Sequence, residues 1–369
     1  MYIHECWKSR KEIDIDQIHS PVKVTLPARF DFIGGWTDTP PYHFKNAANV
    51  LNATLDLTVN SQSVTSGRAI TITVEMSDVF TVVENDEAVV NPDDNLIIRN
   101  TLEFLDIRKP QIALTIDNTI PKGSGLGGSS LMVASLLAAL FAYYHGAEYV
   151  TGNLNSLINN VLYIEQLMES GGGWQDQIGG LFPGIKLIGT TPEEPCTYDV
   201  SYINSPCEGL SAHSLIIDTR IQRRAARILY SIRQKYVDGD PGALAMLTTI
   251  AENARRGFSM LSEDDIRGFA GLLSESWRLV NKVENGTVEA VDAVSHLCGD
   301  DIIGMKMGGA GGGGFILVIF DNEDKKRYYT NRIRDHIPGC IIYNPRFGGV
   351  GMTVEQEGRK VEVGREGIV

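Results

Sequence analysis

Two carboxylates, Glu165 and Asp176, lie 11 residues apart on the chain. Leu154, Leu157, Ile158, Val161, Leu162 and Met168 recur at i, i+3, i+4, i+7, i+8 and i+14, the stripe of a helix spanning about 154–169. Glu165 falls on that stripe and points inward. A buried carboxylate without a partner costs several kcal/mol, so it needs a cation, a metal or a proton. Asp176 sits between the glycine groups 171–173 and 179–180, which expose it to a ligand. Such a pair can face one cleft, one holding a divalent ion while the other accepts or orients a proton. The plainer alternative pairs Glu165 with a core arginine and leaves Asp176 as a turn residue.

A run of glycine and serine, Pro121, Lys122, Gly123, Ser124, Gly125, Leu126, Gly127, Gly128, Ser129 and Ser130, separates a strand from an apolar helix. Its glycines let backbone approach a ligand, and the following helix start offers unpaired N–H groups that favour phosphate. Ser129 and Ser130 stand where an N-cap hydroxyl belongs, and either is able to ligate a metal instead. The run contains GxGxxG (Gly123, Gly125, Gly128), with Glu148 20 residues later. No strand fits between helix and Glu148, so the dinucleotide fingerprint fails, and no Gly-Lys-Ser/Thr completes a P-loop. Phosphate binding survives both exclusions. A second glycine run, Gly308-Gly309-Ala310-Gly311-Gly312-Gly313-Gly314, is suited to lining a ligand with amides or to close packing of another loop. Near the N-terminus, Arg29 precedes the turn Gly34-Gly35-Trp36-Thr37-Asp38, a plausible carbohydrate site: carboxylates accept from hydroxyls and tryptophan packs on C–H faces.

Strands are expected over 21–33, 69–76, 111–117, 184–189, 213–218, 302–307 and 314–320. Helices are expected over 129–145, ended by Gly146, and near 154–169, 221–236, 240–255, 263–281 and 286–297. The order is α+β, not a clean βαβ alternation. The 369 residues predict two domains, and the proline-bearing stretch 190–210 sets their boundary near 200, at 1–200 and 201–369. A net charge of −13 argues against nucleic acid or an anionic membrane as partner. The start has no signal-peptide pattern, and Leu131–Tyr144 is too short to span a bilayer. Five scattered cysteines without CxxC argue against a disulfide framework or zinc site and fit a reducing cytoplasm.

The segments PARFDFIGGWTDTPP, PKGSGLGGSS with EQLMESGGGWQDQ, and KMGGAGGGG resemble, in order and spacing, the three motifs of the GHMP kinase superfamily. GGWTDTPPY and GGGWQDQIGG are most similar to its L-fucokinase branch. The resemblance implies a ribosomal protein S5 domain 2-like N-terminal domain and a ferredoxin-like C-terminal domain, the last strands being free to return to the first. It implies that residues 121–130 wrap the triphosphate of ATP, with Ser129 and Glu165 on Mg²⁺. Asp176 would be the base toward a sugar hydroxyl, with Arg29 beside it. Asp38, with Trp36, Gly35, Gly173, Gly309 and Gly311, would line the sugar site. Thr219 and Arg223 match a Thr-Gly-x-x-Arg element in which Arg220 replaces the glycine. Known bifunctional fucokinases carry a nucleotidyltransferase domain ahead of the kinase, so no GDP-sugar synthesis is expected here. The implied activity is transfer of the γ-phosphoryl of Mg·ATP to a sugar, the 1-hydroxyl of L-fucose first. A heptose 7-phosphate kinase (Arg220, Arg223 and Arg224 being candidate phosphate ligands), a non-catalytic sugar sensor and an NAD-dependent dehydrogenase are the rivals. Monomer and homodimer stay equally open.

Overall fold

The structure is a computed structural model that describes residues 20–365 apart from 59–68, 89–94, 109, 169–170, 205–206, 222–224, 285–287, 310 and 312. Strand β1 (Val22–Ile33) organises it. Its first half alternates buried and less buried positions, and its second half is buried on both faces. The pairing changes at the same place. Residues 22–27 pair with β3 (Ala69–Met76), and 28–33 pair with β2 (Ala48–Thr58). Pro27, which has no N–H to give to a ladder, sits at the switch.

The hairpin β4 (Thr81–Glu84) and β5 (Glu87–Ala88) and strand β6 (Ile112–Asn118) extend the β3 side. On the other side β2 pairs with β7 (Ile185–Thr190), which pairs with β8 (Asp199–Tyr202). β9 (Ser214–Asp218), β10 (Ile302–Met307), β11 (Phe315–Phe320) and β12 (Ile341–Phe347) carry the sheet onward in the order β10-β11-β9-β12-β2. β13 (Thr353–Gln356) returns to β1 and pairs with β14 (Arg359–Glu362). The sheet is thus continuous across residue 200. One hydrophobic cluster spans most of the chain, and a second, including Leu215, Trp277, Val291 and Phe320, lies wholly beyond residue 200.

Among the helices, α1 (Leu96–Phe104) is capped by the Asn95 side chain. Helix α2 (Gly128–His145) is apolar on all sides, which fits a helix in the middle of a core. By composition it could cross a bilayer, yet 83% of it is buried inside the protein. α3 (Ala147–Gly152) and α4 (Leu154–Leu167) follow, α4 packing on α2. The seven-residue α5 (Gln175–Leu181) crosses β1 very closely. A Cβ at Gly179 would lie 2.8 Å from Arg29 Cγ, and one at Gly180 2.3 Å from Leu131 of α2. Cys196 is disulfide-bonded, which its isolated place in the sequence did not suggest. Cys207, Cys298 and Cys340 are free thiols.

Candidate active site

The expected groups converge where β1, the start of α2, α4 and α5 meet. Arg29 is 1% exposed, and its guanidinium is divided among three partners. Nε donates to Asp176 Oδ1 at 3.0 Å, and Nη2 donates to the same oxygen. Nη1 donates to the Gly125 carbonyl at 2.8 Å and lies 3.0 Å from Asp31 Oδ2. That last contact is an ion pair, and the Asn52 side chain also lies close enough to favour the ionised Asp31 carboxyl. Burial works against the Arg29 charge, but Asp176 and then Asp31 outweigh it and raise its pKa.

Glu165 faces inward as its helical position predicts, and it is 2% exposed. Ser130, not Ser129, completes its surroundings. The Ser130 hydroxyl donates to Glu165 Oε1 at 2.7 Å and stands 3.3 Å from Asp176 Oδ2. The expectation of a serine N-cap is corrected here. Helix α2 begins one residue early, at Gly128, with Gly127 as N-cap in the left-handed region (φ 81°). The serines therefore occupy the second and third helical positions, where a turn of about 100° per residue separates their directions. Ser129 is exposed and Ser130 is buried against Glu165. The Glu165 carboxyl is pushed up to about 8, by burial first and by the negative Asp176 next.

Asp176 lies in the first turn of α5 rather than in a loop, and its side chain keeps 22% exposure. The preceding residue ties it to the turn after β1: the Gln175 amide donates to Asp38 Oδ2 at 3.0 Å. Asp38 is fully buried, and burial raises it to about 7. Its Oδ1 has no hydrogen-bond partner among the described residues. Gly173 makes room for this carboxylate, since a Cβ there would lie 2.1 Å from Oδ2. Trp36 adopts a positive φ of 81° and, 7% exposed, lines a small cavity with Asp31, Gly35, Gln175, Lys306 and Gly309.

The two glycine runs pack on each other. A Cβ on Gly125 would meet the Gly308 carbonyl at 2.6 Å, and one on Gly309 would meet Gly125 Cα at 2.9 Å. The Phe315 amide donates to the Ser124 carbonyl at 3.1 Å, joining the loops at one edge. Leu126 is buried and anchors the first loop, while Lys122, Gly123 and Ser129 face solvent and Pro121 and Gly128 are half-buried. Gly311 donates its amide to the Gly308 carbonyl at 3.4 Å. Arg220 takes the left-handed conformation (φ 58°) that a glycine favours and pairs with Asp218 at 3.6 Å. Arg223 and Arg224 lie outside the described residues.

Three further residues escape the sequence reading. Asp31 is buried behind Arg29, two positions along the same strand, so the alternation of a strand could have revealed it. Lys306 sends its Nζ to the Asp31 carbonyl oxygen, and Lys186, fully buried, donates to the Gly179 carbonyl of α5 at 3.0 Å. Burial lowers Lys306 to about 8 and Lys186 to about 7.

The donor set fits a hard dication. Ser130, Glu165 and Asp176 present only oxygens, the ligand type that Mg²⁺ takes. Among the described residues no three His, Cys, Asp or Glu side chains form a closed metal cage. An ion here would draw its remaining ligands from phosphate and water.

Residues 95–184 match the family described as GHMP kinases N terminal domain. The solved D-glycero-D-manno-heptose 1-phosphate kinase from Bacteriodes thetaiotaomicron superposes with a TM-score of 0.67 at 19% identity, covering 91% of this chain and 99% of its own. The match to the GHMP kinase family thus covers residues 95–184, and the α+β fold is shared with this solved sugar kinase over most of both chains. The chain is 30% identical to the bifunctional fucokinase/GDP-fucose pyrophosphorylase of Arabidopsis thaliana, over 89% of this chain and 33% of that protein. It is 27% identical to the L-fucokinase/L-fucose-1-P guanylyltransferase of Bacteroides fragilis, over 96% and 40%. It thus spans between a third and two fifths of the length of these two relatives. The D-glycero-alpha-D-manno-heptose 7-phosphate kinase of Campylobacter jejuni is 26% identical over 70% and 76%.

Proposed function

We propose that this protein is an ATP-dependent sugar kinase that transfers the γ-phosphoryl group to a sugar hydroxyl, the anomeric hydroxyl of L-fucose being the first choice. One observation carries the reading: Arg29, Asp176, Ser130 and Glu165 meet in one hydrogen-bonded constellation beside the glycine loop at the start of α2. The higher identity to two fucokinases than to the heptose 7-phosphate kinase supports the choice of sugar.

In the proposed reaction Asp38 accepts from sugar hydroxyls through Oδ1 and orients the ring. Asp176 takes the proton of the attacking hydroxyl as its oxygen bonds to phosphorus and the bond to the ADP leaving group breaks. Arg29 holds Asp176 Oδ1, leaving Oδ2 directed toward the hydroxyl. Amides of residues 123–130 and the start of α2 cradle phosphate oxygens. Ser130 and Glu165 would hold Mg²⁺, which would supply charge neutralisation of the triphosphate. Positioning and neutralisation dominate such a transfer because its transition state is loose.

The test is a turnover screen coupled to ADP formation, with L-fucose, galactose, mannose and heptose 7-phosphate. Turnover of L-fucose well above the others supports the reading. Preference for the phosphorylated heptose moves the chain to the heptose kinases, and ATP consumption with none of them favours a sugar sensor.

A further inference from the structure

Behind the Arg29–Asp176 pair lies a carboxylate with no assigned task. Asp31 is fully buried and approaches Arg29 Nη1 at 3.0 Å, on the side opposite Asp176. Arg29 stays protonated at any working pH; burial pushes the Asp31 carboxyl up, while the adjacent Arg29 and Lys306 charges favour its ionised form. The charged groups that face Asp31 are Arg29 on its own strand, Lys306 on β10, Lys186 on β7, Asp176 on α5 and Asp38 in the turn after β1. Lys306 also holds the Asp31 main chain, and it stands just before the glycine run that packs on Gly125.

We infer that Asp31 is a positioning residue for phosphoryl transfer: its charge holds the Arg29 guanidinium so that Nε and Nη2 meet Asp176 while Nη1 holds the glycine loop. Without that charge, Arg29 has one anionic anchor in place of two. It is then drawn wholly onto Asp176, and its grip on the Gly125 carbonyl loosens. Base and phosphate loop then lose their common reference. Asp31 acts through Arg29 rather than on the reacting atoms in this scheme, so its loss falls chiefly on turnover.

The inference rests on the kinase reading for its catalytic consequence, and two measurements keep the two apart. The first is a double-mutant cycle of Asp31→Asn with Arg29→Gln, read as kcat and KM. Asp31→Asn is expected to lower kcat about 10- to 100-fold, the range for partners that orient a reacting group, with the sugar KM within about twofold. In the Arg29→Gln background the same change should cost less than about twofold, because the residue it acts through is gone. Equal losses in both backgrounds, or a loss confined to KM, would overturn the inference. The second needs no turnover: nitrogen NMR of the arginine side chains. The two Nη signals of Arg29 are expected to be separate in the wild type and averaged by rotation in Asp31→Asn. A guanidinium equally locked in both refutes the positioning role, whatever the protein phosphorylates. Should the asparagine variant not fold, Asp31→Ser, which leaves room for a water, takes its place in both measurements.

Discussion

Replacing Gly173 by alanine perturbs the proposed sugar side of the site without removing a polar group. The new Cβ would stand 2.1 Å from Asp38 Oδ2 and 2.5 Å from both Asp38 Cγ and the Asp38 carbonyl oxygen. Ordinary contact begins at 3.4 Å, so the carboxylate must move by more than an ångström or the backbone around 173 must give way. Either movement breaks the 3.0 Å bond from the Gln175 amide. A hydrogen bond to a charged acceptor is worth about 1.5–3 kcal/mol, which corresponds to a loss of about 10- to 150-fold in kcat/KM for the sugar. Overpacking a tight site also costs about 1–3 kcal/mol of stability, so a lower melting temperature accompanies the change. The assay is steady-state kinetics with each substrate varied in turn, alongside thermal unfolding. The sugar KM should rise while the ATP KM stays within about twofold. A folded variant with unchanged sugar kinetics would remove Asp38 from the sugar site. A rise confined to the ATP KM would place residue 173 in the nucleotide site instead.

Ser130→Ala should weaken use of Mg·ATP, while Ser129→Ala should be nearly silent, as initial rates across a magnesium titration would tell; the reverse order would restore Ser129 as the ligand. Asp176→Asn should lower kcat about 10²–10⁴-fold if it accepts the proton, and near-full turnover would leave it only orienting the hydroxyl. The raised Glu165 carboxyl makes metal-free stability depend on pH. Unfolded, Glu165 ionises near 4.5, and folded it keeps its proton to about 8, so its stabilising contribution is full below 4.5 and is lost as pH rises toward 8. Thermal scans should therefore show the wild type losing ground to Glu165→Gln across that window, and a gain with rising pH would contradict the burial argument.

Much of the strand and helix pattern was legible because apolar spacing records it locally. β3 and β10 fall where their β-branched and alternating residues place them, and the inward Glu165 follows from the 3.6-residue period of α4. Elements without such a signal were missed. β2 (ANVLNATLDLT) lies at the centre of the sheet, buried at almost every position, so its asparagines and threonines break any apolar run. α5 is only seven residues long, contains two glycines and owes its place to packing on β1 and α2.

By itself, the amino-acid sequence determined which groups exist for the chemistry: an inward carboxylate, a second one set among glycines, an arginine on a strand and a glycine loop before an apolar helix. It also contained the spacing that aligns with the GHMP kinases. Only the tertiary structure decided that Ser130 rather than Ser129 meets Glu165, because the helix starts at a left-handed glycine and side-chain direction depends on that starting point. Only packing decided that Arg29 and Asp176, 147 residues apart, share a hydrogen bond, or that Asp31 stands behind them. Contacts between strands distant in sequence depend on register and burial, which no local pattern encodes.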